Sequence, residues 1–322
     1  MFYNLSWPEG LSAYPALVVL VVVVARLLPM PPQYHPLTLF RLLAQQLGKK
    51  VNPDPSRSRQ QLMISGALAI LVIWLPIMAL LYSLYWFSEL PLVLDALLLY
   101  CSLDWHTQQQ QALVIQRQLQ ACQLTLAREQ AKQLLCRRTA SLSEMGLSKA
   151  LIESLTLRSA SQLIAVCCWF LIGGGLAAIG YRLLIEMHQQ WNIKRSAHRY
   201  FGVTIALLAN LTSFIPKLIS VSLLAFQHGI LQCYRQCRQP KMNLSSGSYW
   251  LLCCASVAVQ RNIGGPVFYN EHKLQRSKML QGTDPKPTDI ARIIKRLHFV
   301  HLYLYVLIMT TSLLQLVWLQ TN

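Results

Sequence analysis

The sequence predicts an all-α, polytopic integral membrane protein with about five to six membrane helices and cytoplasmic helical layers. Three observations carry that reading. Of the 322 residues 54% are hydrophobic and only 13% charged, against about 25% charged in an average soluble protein. Several apolar runs approach or exceed the ~20 residues that span a bilayer. Lys and Arg collect mainly between those runs, as cytoplasmic loops require.

The runs follow in order. Leu11–Leu28 is the first, and its stretch Val18–Val24 is almost purely β-branched. No basic region precedes it and no small-residue cleavage site follows, so it reads as a retained span rather than a cleaved signal. Met30–Arg59 reads as a loop and amphipathic helix, broken at Asn52-Pro53-Asp54-Pro55-Ser56. Met63–Phe87 is the second span. After the tight connection Ser88-Glu89-Leu90-Pro91 comes Leu90–Leu103, apolar but short and carrying Asp95.

Residues 105–160 are half-polar and helical, with Ile115, Leu119, Cys122 and Leu126 at helical spacing. Ser141-Leu142-Ser143-Glu144 fits a capping box. Leu163–Leu184 is the next span, and its Gly173-Gly174-Gly175 permits close helix packing. Phe201–Phe226 is broken by Asn210 and Pro216. Residues 227–298 form a second cytoplasmic layer, with Tyr249–Val259 too short to span alone. Gly264-Gly265-Pro266 and 282–287 are its turns. Phe299–Leu319 closes the series. With the basic 41–59 loop inside, the first residues lie outside. Lys194, Arg195 and Arg199 in 187–199 then run against the charge rule.

The net charge of +17 fits a face touching anionic headgroups, and no aromatic-interleaved basic motif argues for nucleic acid. The nine cysteines lack zinc-finger spacing and read as reduced thiols. His228, Cys233 and Cys237 could begin a metal site, but a fourth ligand is not evident. No Walker loop, nucleophile elbow or His-Glu-x-x-His pair is present.

An ordered set of short motifs resembles one family. It runs His35-Pro36, Asp95 to Tyr100, Ala127-Arg128, Arg137-Arg138-Thr139 and Ile152-Glu153-Ser154. Trp169, Gly173-Gly174, Tyr181-Arg182, Phe201-Gly202 and Ile215-Pro216 follow. Trp250, Gly264-Gly265-Pro266, Tyr269 and Asp289-Ile290 complete it. In order and spacing this resembles the CobD/CbiB family of cobalamin biosynthesis, the adenosylcobinamide-phosphate synthases, and the chain is a divergent member by that comparison. The resemblance spans roughly residues 15–310.

The resemblance implies one multi-pass domain over 1–322 in the cell inner membrane, with most loops cytoplasmic. It implies an amide-forming synthase that joins aminopropanol, or its phosphate, to the propionate carboxylate of adenosylcobyric acid, using ATP and Mg²⁺. The implied partners are the corrinoid, the amine and the bilayer, with a homo-oligomer or a complex with other cobalamin enzymes. The candidate catalytic residues are Glu153, Asp95 and His35. The candidate substrate- or phosphate-binding residues are Arg137, Thr139, Ser154, Gly264, Gly265 and Tyr269.

Plainer readings stand beside these roles. Glu153 could pair on a helix surface, and His35 could be an interfacial turn residue. Gly264-Gly265 could be only a turn, and His298 and His301, three apart, could share a ligand or lie at an interface. Asp95 in an apolar stretch calls for a functional or paired role.

The departures from the family pattern concern carboxylates. Family members carry Glu-Asn at Leu157-Arg158, Asp-Gly at Ser161-Gln162 and a paired Asp-Asp at Ala209-Asn210. An Asn and an Asp correspond to Ile185 and His188. Pro-Asn stands at Ser246-Gly247, a Glu at Leu252 and an Asp at Arg138. Two alternatives to a working synthase therefore stay open. One is a catalytically degenerate scaffold or corrinoid-binding relative. The other is a small-molecule transporter, to which the break at Asn210 and Pro216 would lend a cavity.

Overall fold

The β-branched run and its flanks form α1 (Trp7–Leu27). This is a computed structural model, and it describes the chain apart from residues 1–6, 32, 55–56, 136–138, 239–244, 266, 270–271, 275–278, 280–281 and 322. α2 (Pro36–Val51) starts where His35 Nδ1 accepts from the Leu37 amide, with Pro36 in the first turn, where a missing N–H costs nothing. It buries Leu37, Phe40, Ala44 and Gly48 along one face and stops at Asn52, before Pro53. α3 (Arg59–Phe87) is capped by the Ser58 hydroxyl, and α4 (Pro91–Ser102) is 12 residues long.

The half-polar region divides into α5 (Trp105–Gln120), α6 (Leu124–Leu134) and α7 (Glu144–Arg158). The apolar stripe expected through Cys122 and Leu126 ends at Leu119. Cys122 adopts a left-handed backbone (φ 58°) and turns the chain, leaving Leu126 exposed on α6. The cap of α7 is Ser143, whose hydroxyl accepts from Gly146 N, rather than Ser141 of the expected box.

α7 continues through a π-helical turn (Ser159–Ile164) into α8 (Ala165–Gln190). The glycine run does more than permit close packing. Gly173 and Gly174 leave helical geometry, Gly174 at φ 64°, and kink α8. The expected broken span is α9 (Val203–Thr212) and α10 (Phe214–His228), bent by 49°. The break falls at Ser213, so Pro216 sits in a first helical turn, where its ring is tolerated.

The chain ends with α11 (Ile230–Cys237), α12 (Ser246–Val259), a two-stranded antiparallel hairpin of β1 (Val267–Tyr269) and β2 (His272–Leu274), and α13 (Thr288–Thr321). α8 runs through the middle of the molecule and packs against α1 to α4, α9 and α10. α5, α6, α7, α12 and α13 pack together as a second group. Residues Leu151, Ile152, Leu155, Ile164, Ala165 and Val166 join the two groups in one core.

Three helical stretches among the described residues are long and apolar enough to cross a membrane: Arg59–Phe87, Glu144–Gln190 and Thr288–Leu314. The bent pair raises that to four. This is fewer than the expected five to six, because α4 is too short to span and α1 counts only as the shorter apolar helix Ala13–Leu27. Leu68, Val72 and Leu80 on α3, with Leu302, Val306 and Leu307 on α13, are large, apolar and exposed. Such helices suit a lipid solvent, and the protein is a membrane protein.

α3 lies close to the start of α9 because Gly66 has no side chain. A Cβ there would come within 2.0 Å of the Phe201 carbonyl oxygen. Gly66→Ala is expected to cost about 1–3 kcal/mol, read as a lowered Tm of the detergent-solubilised protein. Leu68→Ala on the exposed face of the same helix should leave Tm nearly unchanged.

Candidate functional site

Residues of the α7–α8 rod, the α9–α10 pair and the start of α12 converge on a cavity of about 280 Å³. α7 and the π turn contribute Glu153, Ser154, Leu157, Arg158 and Ser161. α8 and the residues after it contribute Ile185, His188, Gln189, Asn192 and Lys194. Ala209 and Asn210 come from α9, Ser213 and Lys217 from the bend and α10, and Ser245 and Ser248 from the start of α12. Most positions at which the resemblance implies a carboxylate are therefore neighbours in space: Leu157, Ser161, His188, Ala209 and Asn210 all face this one cavity, as does Ile185, where it implies an asparagine.

Glu153 is buried (7% exposed), and its Oε1 accepts from the Gly264 amide at 3.2 Å. Gly264 and Gly265 both have positive φ (96° and 88°), a backbone that glycine adopts without steric cost. The turn therefore brings a backbone N–H to the carboxylate, while Lys149 approaches Gly265 from α7. Ser154 Oγ donates to the Leu134 carbonyl and accepts from Arg158 Nε. Arg158 also donates to the Leu134 carbonyl and to Gln108 Oε1, and these three acceptors are all neutral.

Arg158 is anchored through Gln108 to a charge cluster the sequence reading missed. Gln108 Nε2 donates to Asp104 Oδ1 (2.6 Å) and to Gln162 Oε1 (2.6 Å). Asp104 accepts from Arg41 and from Arg182 (2.9 Å each), and Glu186 accepts from the same two arginines at 2.6 and 2.7 Å. Two cations and two anions from α2, the start of α5 and α8 thus balance. Arg182 and Glu186 have no exposed surface. The available signal was an Arg and a Glu four residues apart at the end of an apolar run, one helical turn from each other.

The remaining candidates lie elsewhere. Asp95 does not line the cavity. It accepts from the Gly175 amide (2.7 Å), Tyr14 (3.1 Å) and Tyr85 (3.4 Å) and holds the kink of α8. His35 caps α2. Burial lowers its pKa from the ordinary histidine value, against the pull of Asp104. Thr139 is buried, its hydroxyl without a partner among the described residues. Arg137 and the side chain of Tyr269 lie outside the described residues.

His298 meets Gln109 (2.8 Å) and His301 meets Ser159 (2.7 Å), so each histidine has its own partner. They border a second cavity of about 510 Å³ between α1, α5 and α13, walled mostly by apolar side chains such as Val23, Leu302 and Val306. Cys233 and Cys237 on α11 meet Cys253 and Cys254 on α12 as thiols. Among the described residues no three His, Cys, Asp or Glu side chains are placed to hold a metal ion.

A profile of the CobD/Cbib protein family matches residues 18–297. The chain belongs to the CobD/Cbib family. Among similar proteins, one named cobalamin biosynthesis protein CobD from Chromobacterium violaceum is 25% identical over 281 residues, covering 86% of this chain and 89% of that one. The protein of the same name from Stutzerimonas stutzeri is 26% identical over 272 residues, covering 82% and 86%. That of Klebsiella pneumoniae is 22% identical over 283 residues, covering 82% and 87%. No solved structure matches significantly.

Burial pushes the Asp104 carboxyl up, but Arg182 and Arg41 outweigh it and bring its pKa from 3.8 to about 2. A carboxylate held down in this way contributes stability in full above its ordinary pKa and loses it as pH falls through the folded value. Asp104→Asn should destabilise the protein by about 3–5 kcal/mol at neutral pH, because it leaves buried arginine charge uncompensated. Equilibrium unfolding should show that gap constant above pH 3.8 and closing as pH falls toward 2.

Proposed function

We propose that this chain acts in cobalamin biosynthesis at the cell inner membrane. There it would join aminopropanol, or its phosphate, to a propionate carboxylate of adenosylcobyric acid. The convergence of α7 to α10 and α12 on a polar cavity around Glu153 and Ser154 carries this reading, together with family membership over most of the chain. The domain is taken as one unit over 1–322. In this reading α1 and α4 extend the membrane part beyond the three or four spans above, and the loops around the cavity face the cytoplasm.

The chemistry assigns distinct work to the side chains. An amine attacks an activated carboxyl carbon as nitrogen donor and must lose a proton as the amide forms. Glu153, the one carboxylate among the cavity's lining residues, is the group positioned to accept it. Gly264 N–H orients that carboxylate. Activation makes the carboxylate oxygen a leaving group as phosphate, which ATP supplies as phosphoryl donor. Arg158, Lys194 and Lys217 would offset the phosphate charge.

Mg²⁺ does not fit the donor set. Hard divalent cations take several oxygen ligands, usually including carboxylates. The cavity offers one carboxylate beside three cationic side chains, and no metal-holding group occurs among the described residues. The same observation favours a second reading, a corrinoid-binding relative without turnover.

Expression in a synthase-null strain that requires cobinamide separates the two. Rescue is expected from the wild-type chain, with product also formed by the purified protein in lipid from adenosylcobyric acid, aminopropanol phosphate and ATP. Glu153→Gln should lower turnover by about 10²-fold or more. No product above the Glu153→Gln control would leave the non-catalytic reading standing.

A further inference from the structure

Lys217 is the cavity's outlier. It sits one turn past the bend at Ser213, its backbone amide donating to the Ser213 carbonyl (3.0 Å). Its stem packs under α12, where a Cβ on Gly247 would meet Lys217 Cβ and Cδ at 3.4 Å each. The residue is 7% exposed, yet it makes no hydrogen bond or ion pair among the described residues, and it lines the cavity.

An amine held largely out of water with no protein partner is unfavourable, and Lys217 is exposed only toward the cavity that it lines. Around it the charge is one-sided. Arg158 and Lys194 also line the cavity, against Glu153 alone, and His188 keeps a buried Nδ1 without a partner. Three cations around one carboxylate repel a divalent cation and attract an anion.

We propose that this cavity binds a phosphate group directly, with Lys217 as its counter-ion and Arg158 beside it, and without a bridging divalent metal. The group is a phosphomonoester or inorganic phosphate small enough for about 280 Å³. This rests on the cavity being the substrate site of the preceding section. Lys217 then does what a metal ion would do, and phosphate binding relieves the unpaired charge that the free protein carries.

The test uses the full-length protein in nanodiscs of zwitterionic lipid, which removes anionic headgroups as competitors. Isothermal titration with inorganic phosphate, and separately with phosphoethanolamine, is run in EDTA and again with Mg²⁺. Equal affinity in both conditions is expected, and a requirement for Mg²⁺ or no binding in either overturns the proposal. Tighter binding of phosphoethanolamine would mark a phosphorylated amine, and equal binding free phosphate; both support it.

Lys217→Met should weaken binding about tenfold or more, as loss of a charge-assisted contact does, and Lys217→Arg should keep it. Without phosphate, Lys217→Met should hold or raise Tm, because it removes an unpaired buried charge. A lowered Tm would reveal a structural partner for the amine and overturn the proposal, as would unchanged phosphate binding. Binding is read without turnover. Failed complementation with metal-free binding would therefore reject the synthase reading alone, and rescue with Mg²⁺-dependent binding would reject this inference alone.

Discussion

Arg182 is a guanidinium with no exposed surface in the middle helix of a membrane protein, and its neutralisation constrains everything around it. Asp104 and Glu186 supply the negative charge, and Arg41 completes the square. An unpaired charge at such depth costs several kcal/mol even after relaxation. The three segments bearing these groups therefore cannot separate without a large penalty. The cluster fixes α2 and the α4–α5 junction onto α8. Through Gln108 it also fixes the guanidinium of Arg158 in the cavity wall. The apolar packing of this core is generic by comparison. Leucine and alanine faces permit many registers, whereas two arginines facing two carboxylates permit very few.

The departures from regular helix cluster along α7 to α10, which frame the cavity. Freed backbone groups in an apolar surrounding need internal partners, and at the α8 kink Asp95 is one such partner. The kink at Gly173 and Gly174 releases the Gly175 amide, which Asp95 takes at 2.7 Å. The π turn places Ser159 against His301. At the α9–α10 bend the Ser213 hydroxyl donates to the Ala209 carbonyl. These partners let one long helical rod of 47 residues bend around a polar space. Asp95, a catalytic candidate by sequence, is accounted for by this backbone duty.

The sequence disclosed the elements where a local rule applied. The connection at Ser88–Pro91 separates α3 from α4 as expected, and the apolar runs Met63–Phe87 and Leu163–Leu184 lie in helices long enough to span, whereas the β-branched run forms only a shorter apolar helix. The sequence misled where the rule was local and the outcome was not. Cys122 continues an apolar spacing, but α5 ends before it and Cys122 itself takes the left-handed backbone that turns the chain. Within the site, Glu153 and Gly264 were both singled out, yet nothing in 111 residues of separation announces their hydrogen bond. Arg41 and Glu186 are 145 residues apart and each reads as an ordinary charge near a helix end. Pairing at that range is a product of tertiary packing, which composition and periodicity do not encode.

The family comparison gains physical meaning from where the substitutions fall. In sequence Leu157, Ser161, His188, Ala209 and Asn210, where the resemblance implies carboxylates, are scattered over the chain. Gathered on one cavity, they have a common electrostatic consequence. With one carboxylate beside three cationic side chains, the lining suits an anion better than a cation. The site holds a buried lysine, an arginine bound to neutral acceptors and a single carboxylate held by a backbone amide. An amine largely removed from water without a counter-charge is unfavourable. Lys217 on an open cavity therefore argues that the pocket answers to a ligand, and that the ligand's charge is negative.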